Sequence, residues 1–354
     1  MFPRPEYPPA VQLLFEAGHH SPSADNSQPW RFQWDGIVLT VTYDSERVRG
    51  RTFGPDEHAT LITMGAVREN LLQMAGWLGL DPTLLPPETG SKLSSYARVK
   101  LEYPEKMSAN AEQHSLFRRH TNRLSYAPSP IAADIIEALG TMRQGNCTVL
   151  TLTDPERIHT IARWVHVASE VRFQTEELHE FLGRSLRFSE TEANDGDGLD
   201  VRTLNLPVGG KAFLRLIKNW PALNFLNRFR FYRVLAAIEA RPVLNSMTVI
   251  GVVGPSTNKT NDLLDAGALM ERVWIYLNSR QIAVQPFYVV TDQIERLKSR
   301  KVPDLHSSQI ENLRAEVREF LNSAETTIHM LLRAGYPRKV PIRSMRLPLE
   351  TVSE

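Results

Sequence analysis

The sequence predicts an α+β protein in which two related units follow each other in one chain. Residues 31–44 alternate apolar and polar side chains around Asp35-Gly36, which favours a β-hairpin. The following segment, 56–80, has the apolar spacing of a largely buried helix. A Gly-Ala-x-x-Glu pattern, followed by an apolar stretch of matched length, begins at Gly65 and again at Gly267. This repeat indicates a duplicated unit, and the alternative is two unrelated buried helices that use glycine for close packing.

The remaining elements follow from periodicity and from start and stop signals. Asp154 precedes Pro155, and this pair predicts a helix N-terminus. Residues 188–222 are rich in Gly, Asp and Asn, which is typical of an irregular excursion. The predicted helices are 10–20 (ending near Gly18), 131–144, 154–182, 266–282 and 311–333, and the predicted strands are Tyr96 to Tyr103, 147–153, 247–254 and 283–292.

Length, charge and cysteine content restrict the function class. The 354 residues allow one large domain or two ordinary ones. A net charge of +1 gives no global field that would favour nucleic acid. The single cysteine, Cys147, cannot form an internal disulfide or a cysteine-based zinc site. No continuous apolar leader or run of ~18 apolar residues is present, so we expect a cytoplasmic protein without a membrane span.

A polar loop at residues 21–30, SPSADNSQPW, carries more hydrogen-bonding side chains than a surface turn needs. Pro22 and Pro29 lower the entropy cost of holding it. The loop is therefore interpreted as shaped around a polar ligand. The alternative is purely local: Asn26 as a left-handed turn residue and Ser23 as a cap.

This loop resembles the FMN-binding loop of the nitroreductase family, Pro-Ser-x-x-Asn-x-Gln-Pro-Trp. Arg119-His120-Thr121-Asn122-Arg123 is similar to the family's basic signature. In ordinary members the basic segment comes first, and FMN lies at a homodimer interface. Here the order is reversed and the motifs are about ninety residues apart. The chain resembles a double-length, Acg-like branch of this family in three features. These are the order of the motifs, the segment LFRRHTNR and the closing Arg-x-x-Arg-Leu-Pro-Leu-Glu.

The resemblance implies two tandem halves that form an intramolecular pseudo-dimer, each a sheet flanked by helices. The expected halves are 1–110, with the polar loop, and 111–354, with a lid-like insert at about 188–235. No second Pro-Ser-x-x-Asn-x-Gln-Pro-Trp loop exists in the chain, so one FMN site is expected.

The resemblance also implies roles for individual residues. Arg119, Arg343 and Arg346 would bind the FMN phosphate, since guanidinium groups stay charged and bind phosphate in bidentate fashion. Arg123 would tune the reduced flavin near N1 and the C2 carbonyl. The segment Gln285 to Tyr288 would supply a backbone N–H to N5. The expected cofactor-binding residues are Pro22, Ser23, Ala24, Asn26, Gln28, Arg119, His120, Thr121, Arg123, Pro286, Arg343 and Arg346.

The implied function is an oxidoreductase that reduces nitroaromatic, quinone or similar small-molecule acceptors with NAD(P)H through FMN. No protein nucleophile is needed, because the cofactor supplies the chemistry. The alternative is a flavin-binding or sequestering protein whose lid prevents turnover. His19-His20 lacks a third ligand of suitable spacing, so no metal is expected. Residues 211–233 mix basic and aromatic side chains. This segment is interpreted as a lid or an ordinary amphipathic helix, and the alternative is a binding site for RNA or a membrane surface. The protein is expected to be a monomeric pseudo-dimer or a homodimer.

Overall fold

The computed structural model describes residues 7–86, 95–102 and 113–354. Its described part is α+β, with two larger antiparallel sheets and helices packed against each. This confirms the predicted fold class of sheets flanked by helices. The predicted boundary between the halves, at residues 110 and 111, and Tyr103 of a predicted strand lie outside the described residues.

The first sheet is built from the N-terminal part of the chain. The predicted hairpin is present, and Gly36 in its turn has a φ of +101°, which favours glycine. The apolar faces of two helices pack on this sheet around Phe15, Phe32 and Leu71. The elements are helix α1 (Pro9–His19), strand β1 (Trp30–Trp34), strand β2 (Val38–Tyr43), helix α2 (His58–Trp77), strand β3 (Asp81–Leu85) and strand β4 (Ala97–Glu102), in the sheet order β1-β2-β4-β3.

The second sheet has five strands in the order β10-β11-β9-β6-β5. Its strands are β5 (Arg143–Gln144), β6 (Cys147–Leu152), β9 (Thr248–Pro255), β10 (Ala283–Phe287) and β11 (Thr326–Gly335). The helices of this part are α3 (Ala133–Thr141), α4 (Pro155–Arg172), α10 (Thr260–Ser279), α11 (Val289–Lys298) and α12 (Asp304–Phe320). Asp154 caps α4 as predicted, since its carboxylate accepts a hydrogen bond of 2.9 Å from the Arg157 amide.

An insert between α4 and β9 contains short elements with a small apolar cluster of their own, formed by Leu186, Phe188, Leu199 and Val201. The elements are α5 (Glu176–Ser185), β7 (Leu186–Arg187), α6 (Glu190–Ala193), β8 (Leu199–Asp200), α7 (Gly210–Leu216), α8 (Trp220–Asn227) and α9 (Phe231–Leu244).

Helices α2 and α10 cross at the two repeated glycines. A Cβ added at Gly65 would lie 2.1 Å from the Leu264 carbonyl oxygen, and one at Gly267 would lie 2.0 Å from the Ile62 carbonyl oxygen. Each glycine therefore faces the residue three positions before the other glycine. This reciprocity is what an approximate two-fold axis through the crossing produces, so the repeat marks equivalent positions of two elements in contact.

The C-terminus returns to the first sheet. The Phe32 amide donates to the Val352 carbonyl at 2.7 Å, and the Glu354 amide donates to the Phe32 carbonyl at 2.9 Å. The last residues therefore lie beside β1, although most of the second half precedes them. The sequence did not predict this pairing.

Three element predictions need correction, and one strand was missed. The helix predicted at 154–182 is interrupted after Arg172, and the strand predicted at 283–292 ends at Phe287, where α11 soon begins. The helix predicted at 311–333 ends at Phe320, and the rest forms β11. Strand β11 is buried on both faces between β10 and β9, so its apolar run has no alternation to separate strand from helix. Strand β3 was not predicted.

Candidate functional site

The polar loop follows α1 and has an unusual backbone. Asp25, Asn26 and Gln28 have φ values of 47°, 59° and 50°, in the left-handed region. Asn and Asp reach this region more readily than other non-glycine residues. Inside the loop, the Ser23 hydroxyl accepts a hydrogen bond of 3.0 Å from the Gln28 amide. The left-handed turn role considered for Asn26 is thus present, whereas Ser23 precedes the 3₁₀ turn at Ala24–Asn26 without a side-chain capping bond to it.

The amide side chains of the loop bind two distant segments. Asn26 Nδ2 donates to the Met345 carbonyl at 2.9 Å and to the Gly196 carbonyl at 3.2 Å. Gln28 Nε2 donates to the same Gly196 carbonyl at 2.9 Å, and Gln28 Oε1 accepts from the Leu347 amide at 3.1 Å. A Cβ at Gly196 would lie 2.3 Å from the Arg346 carbonyl oxygen, so only glycine fits there. The insert and the C-terminal tail therefore lie directly on the loop.

The three arginines proposed for phosphate binding lie in one cluster. Arg119 is buried, and its guanidinium donates to the His20 carbonyl, at the start of the polar loop. Arg346 Nη2 donates to that same carbonyl at 3.1 Å. Arg343 lies at the exposed rim, where its Nη1 donates to the Phe117 carbonyl at 3.2 Å. The positive charges of all three act on His20, so the first motif, the second motif and the tail meet here.

A buried carboxylate faces this cluster. Glu271 of α10 is fully buried and lies 2.9 Å from Arg119 Nε. Burial raises the pKa of Glu271 to about 7, while the charges of Arg119 and Arg346 oppose the rise. Burial lowers the pKa of Arg346 to about 9, and neighbouring Arg119 adds to this. The guanidinium groups of Arg119 and Arg346 thus share one carboxylate in a region largely shielded from water, while Arg343 stays at the exposed rim.

Two buried donors of the cluster make no hydrogen bond among the described residues, and one of them, Arg119 Nε, is ion-paired with Glu271. Nη1 of Arg346 is buried and has no hydrogen-bond partner among the described residues. An unpaired buried donor on a charged group is costly, so a site of this kind favours an incoming anion. The cluster therefore fits a phosphate group, with Arg346 as its inner donor.

A second set of charges surrounds Arg123. Its Nη1 donates to Thr203 Oγ1 of the insert at 3.3 Å, and the carboxylate of Asp25 raises its pKa against the lowering effect of burial. Asp25 is half-buried; desolvation raises its pKa, and Arg172, Arg123 and a hydrogen bond with Ser185 oppose that rise. The loop, the basic segment and the insert meet through these side chains.

The basic segment runs beside β10. Thr121 forms a parallel bridge with Val284, and the Asn122 amide donates to the Val284 carbonyl at 2.9 Å. The His120 amide donates to Asn278 Oδ1 at 2.8 Å, which is a positioning contact. Pro286 lies in β10 opposite Leu332, at the edge of the sheet. This placement brings Arg119–Arg123 next to the segment Gln285–Tyr288.

A buried chain of hydrogen bonds starts from that segment. Tyr288 Oη and His58 Nδ1 lie 3.0 Å apart, and His58 Nε2 lies 3.0 Å from His329 Nδ1. Burial lowers the pKa of His329 to about 4, so its ring is neutral at pH 7. The sequence analysis did not single out this chain.

The remaining predicted residues have less distinct surroundings. Pro22 and Ala24 are half-buried in the loop, and Ala24 opens a single 3₁₀ turn with Asp25 and Asn26. Trp30 is fully buried, and its Nε1 donates to His19 Nδ1 at 3.0 Å, which makes it a core residue beneath the loop. Across the described ranges, no group of three or more His, Cys, Asp and Glu side chains could hold a metal.

Two residues of the site were missed. Glu271 is the glutamate of the second Gly-Ala-x-x-Glu repeat, so the repeat itself was a signal that could have identified it. The equivalent Glu69 pairs with Arg272 at 2.7 Å. Asp25 occupies an unspecified position of the loop motif, and no sequence signal pointed to its burial beside Arg123.

No protein-family model matches the chain, and a search of curated proteins found no match. Among solved structures, an FMN-dependent nitroreductase from Mycobacterium smegmatis in complex with NADPH is 13% identical, with a TM-score of 0.39, covering 69% of this chain and 96% of the other. A nitroreductase with bound FMN from Bacteroides fragilis is 11% identical, with a TM-score of 0.37 and coverages of 70% and 99%. A nitroreductase-like family protein from Bacillus cereus is 11% identical, with a TM-score of 0.38 and coverages of 70% and 97%.

Proposed function

We propose that the chain binds one FMN and uses it as an oxidoreductase that reduces nitroaromatic, quinone or related small molecules with NAD(P)H. One observation carries the proposal. Guanidinium groups from the basic segment and the tail converge on the His20 carbonyl, and one buried donor of Arg346 has no partner among the described residues. This is the arrangement that a phosphate dianion needs.

In this proposal Arg346 Nη1 donates to a phosphate oxygen, and Arg119 contributes charge from the inner side. Arg119 is held by the Glu271 carboxylate at 2.9 Å and lies over the Trp274 ring, 4.8 Å from its centroid. Arg343 lies at the exposed rim and would add positive charge there. Because Arg119 is fixed from two sides, the phosphate would meet a preorganised charge, which lowers the entropy cost of binding.

The ring system would lie toward Arg123 and β10. Bound FMN supplies reversible two-electron chemistry in its ring. Arg123 would hold positive charge at the pyrimidine edge, with its guanidinium positioned by Thr203 and balanced by Asp25. Burial lowers the pKa of Arg123 and the Asp25 carboxylate opposes that, and a guanidinium group stays charged at neutral pH.

The contacts of the insert favour a second candidate function, a flavin-holding protein with little turnover. Asn26 and Gln28 both donate to the Gly196 carbonyl, and Arg123 donates to Thr203. Three side chains of the proposed site thus already donate hydrogen bonds to the insert. An insert held this way would restrict the access of a nicotinamide to the ring.

The two candidates separate in one experiment. The purified chain is loaded with FMN and freed of excess flavin. It is then mixed anaerobically with NADH or NADPH while the visible absorbance of the oxidised flavin is followed. Bleaching by either nicotinamide, followed by recovery on adding a quinone, supports the oxidoreductase. Bleaching by dithionite alone supports the flavin-holding protein. A chain that retains no FMN contradicts both.

A further inference from the structure

The insert presents an outward surface that is both apolar and basic. On α9, Ala236, Ala240 and Val243 are buried, and α9 packs against α4. Val234 and Ile238 lie on the opposite side of the same helix and are exposed, Ile238 to 57%. A surface helix normally turns polar side chains to water on that side. The exposed side of α9 instead carries these two large apolar side chains beside the exposed Arg233 and Arg241.

Neighbouring elements extend this surface. Leu216 at the end of α7 is 65% exposed, and Phe229 after α8 is 73% exposed. The rings of Phe225 and Phe229 lie 5.8 Å apart and are both exposed. We call this set the insert surface, and its exposed large apolar residues are Val208, Phe213, Leu216, Phe225, Phe229, Val234 and Ile238.

Its charge is entirely of one sign. Residues 201–238 contain seven Lys and Arg and no Asp or Glu, although the whole chain is almost neutral. Arg215 and Lys218 lie over the Phe188 ring, and Arg215 is exposed. The exposed basic residues among the apolar ones are Lys211, Arg215, Arg228, Arg230 and Arg233, of which Arg233 lies 3.6 Å from a carboxylate oxygen of Glu170. The net charge of +1 gave no reason to expect an anionic partner, because it does not show where along the chain the positive charges are concentrated.

We propose that the insert surface docks on an anionic lipid membrane. Exposed aromatic and aliphatic side chains enter the interface between headgroups and acyl chains, and Lys and Arg among them pair with anionic headgroups. The proposed contact is peripheral. None of the helices in the described part of the chain combines the length and the apolar character of a membrane span.

Two other partners fit the surface less well. A second copy of the chain would place basic residues against the same basic residues, because a two-fold interface uses one patch twice. Single-stranded nucleic acid would stack its bases on aromatic rings. Four of the seven exposed apolar residues here, Val208, Leu216, Val234 and Ile238, are aliphatic and offer no ring for stacking.

The test is co-sedimentation of the full chain with vesicles of phosphatidylcholine alone or with added phosphatidylglycerol. We expect binding to the anionic vesicles, little binding to the neutral ones, and weakening at high salt. Each basic side chain near a bilayer strengthens binding about fivefold. The double variant Lys211→Glu/Arg228→Glu should therefore lose at least about 25-fold in affinity. Phe225→Ser/Phe229→Ser should lose roughly tenfold or more.

Leu305→Ser is the matched control, because Leu305 is also exposed but lies on α12, outside the insert. It should bind vesicles as the unaltered chain does. Circular dichroism checks that every variant is folded. Absence of binding to anionic vesicles overturns the proposal, as does equal loss in the control. Dimerisation abolished by Phe225→Ser/Phe229→Ser, or tighter binding to a labelled single-stranded oligonucleotide than to vesicles, would reassign the surface to those partners.

Discussion

Replacing Gly65 or Gly267 by alanine tests the crossing that joins the two repeated helices. A Cβ at either position would lie 2.0–2.1 Å from a carbonyl oxygen of the opposite helix, whereas ordinary van der Waals contact begins at 3.4 Å. The atoms that it would meet belong to backbone, which cannot rotate away. The helices must therefore separate by about 1.4 Å, or the backbone must distort.

The expected magnitude follows from that geometry. Overpacking a core by one methyl group lowers the free energy of unfolding by ~1–3 kcal/mol. Because the clashing atoms are backbone, we expect each single variant to lose about 3 kcal/mol. The two clashes belong to one crossing, so a single separation of the helices relieves both. The double variant should thus cost clearly less than the sum of the two single ones.

Helix α2 contains its own control. Nothing lies within 4 Å of a Cβ added at Gly76, in the last turn of that helix. Alanine there should be neutral or stabilise the protein by up to ~1 kcal/mol, because glycine is the poorer helix former. Equilibrium unfolding in urea, followed by circular dichroism, measures the free energy of unfolding of all four variants. If Gly65→Ala and Gly267→Ala unfold at the same urea concentration as Gly76→Ala, the two helices do not approach as closely as described at Gly65 and Gly267.

Three further predictions concern single side chains. Asp154→Ala should lower the free energy of unfolding by ~1 kcal/mol, because it removes the cap on α4. Asp154→Asn should retain most of the stability that the cap contributes, and urea unfolding measures both variants. Cys147 is buried, and burial raises its pKa to about 12, so a thiol reagent should react with it only after unfolding; fast reaction of the native chain contradicts its placement. Glu271 loses its charge as pH falls through about 7, which leaves the arginine cluster more positive, so FMN affinity should rise between about pH 8 and about pH 6.5. A fluorescence titration should show that rise in the unaltered chain and not in Glu271→Gln, and an equal rise in both would remove Glu271 from the cluster.

Local signals in the sequence predicted local structure well. The Asp35-Gly36 turn, the helix around Gly65 and the cap at Asp154 depend on neighbours within a few residues, and all three are present. The repeat predicted more than local structure, since its two glycines meet in one crossing.

The failures have physical causes. Strand β11 is buried on both faces, so its sequence carries no alternation, and a helix was predicted in its place. The pairing of the tail with β1 and the contact of Gly196 with the loop join residues far apart in the chain, and no local pattern encodes them. Asp25 and Glu271 acquire their role only through partners that folding brings near. The resemblance nevertheless indicated the arginines that the structure places in one cluster.

The central claim is that the cluster around His20 binds a flavin phosphate, and comparing FMN with riboflavin tests it most directly. The two ligands share the ring and ribityl chain and differ in the phosphate. Fluorescence titration of the full chain should give tighter binding of FMN than of riboflavin. Arg346→Ala should weaken FMN by roughly tenfold to hundredfold, the effect of a hydrogen bond to a charged group, and leave riboflavin unchanged. Arg338→Ala, an exposed arginine of the same tail, should change neither. Equal affinities for FMN and riboflavin, or an FMN affinity untouched by Arg346→Ala, would contradict the account.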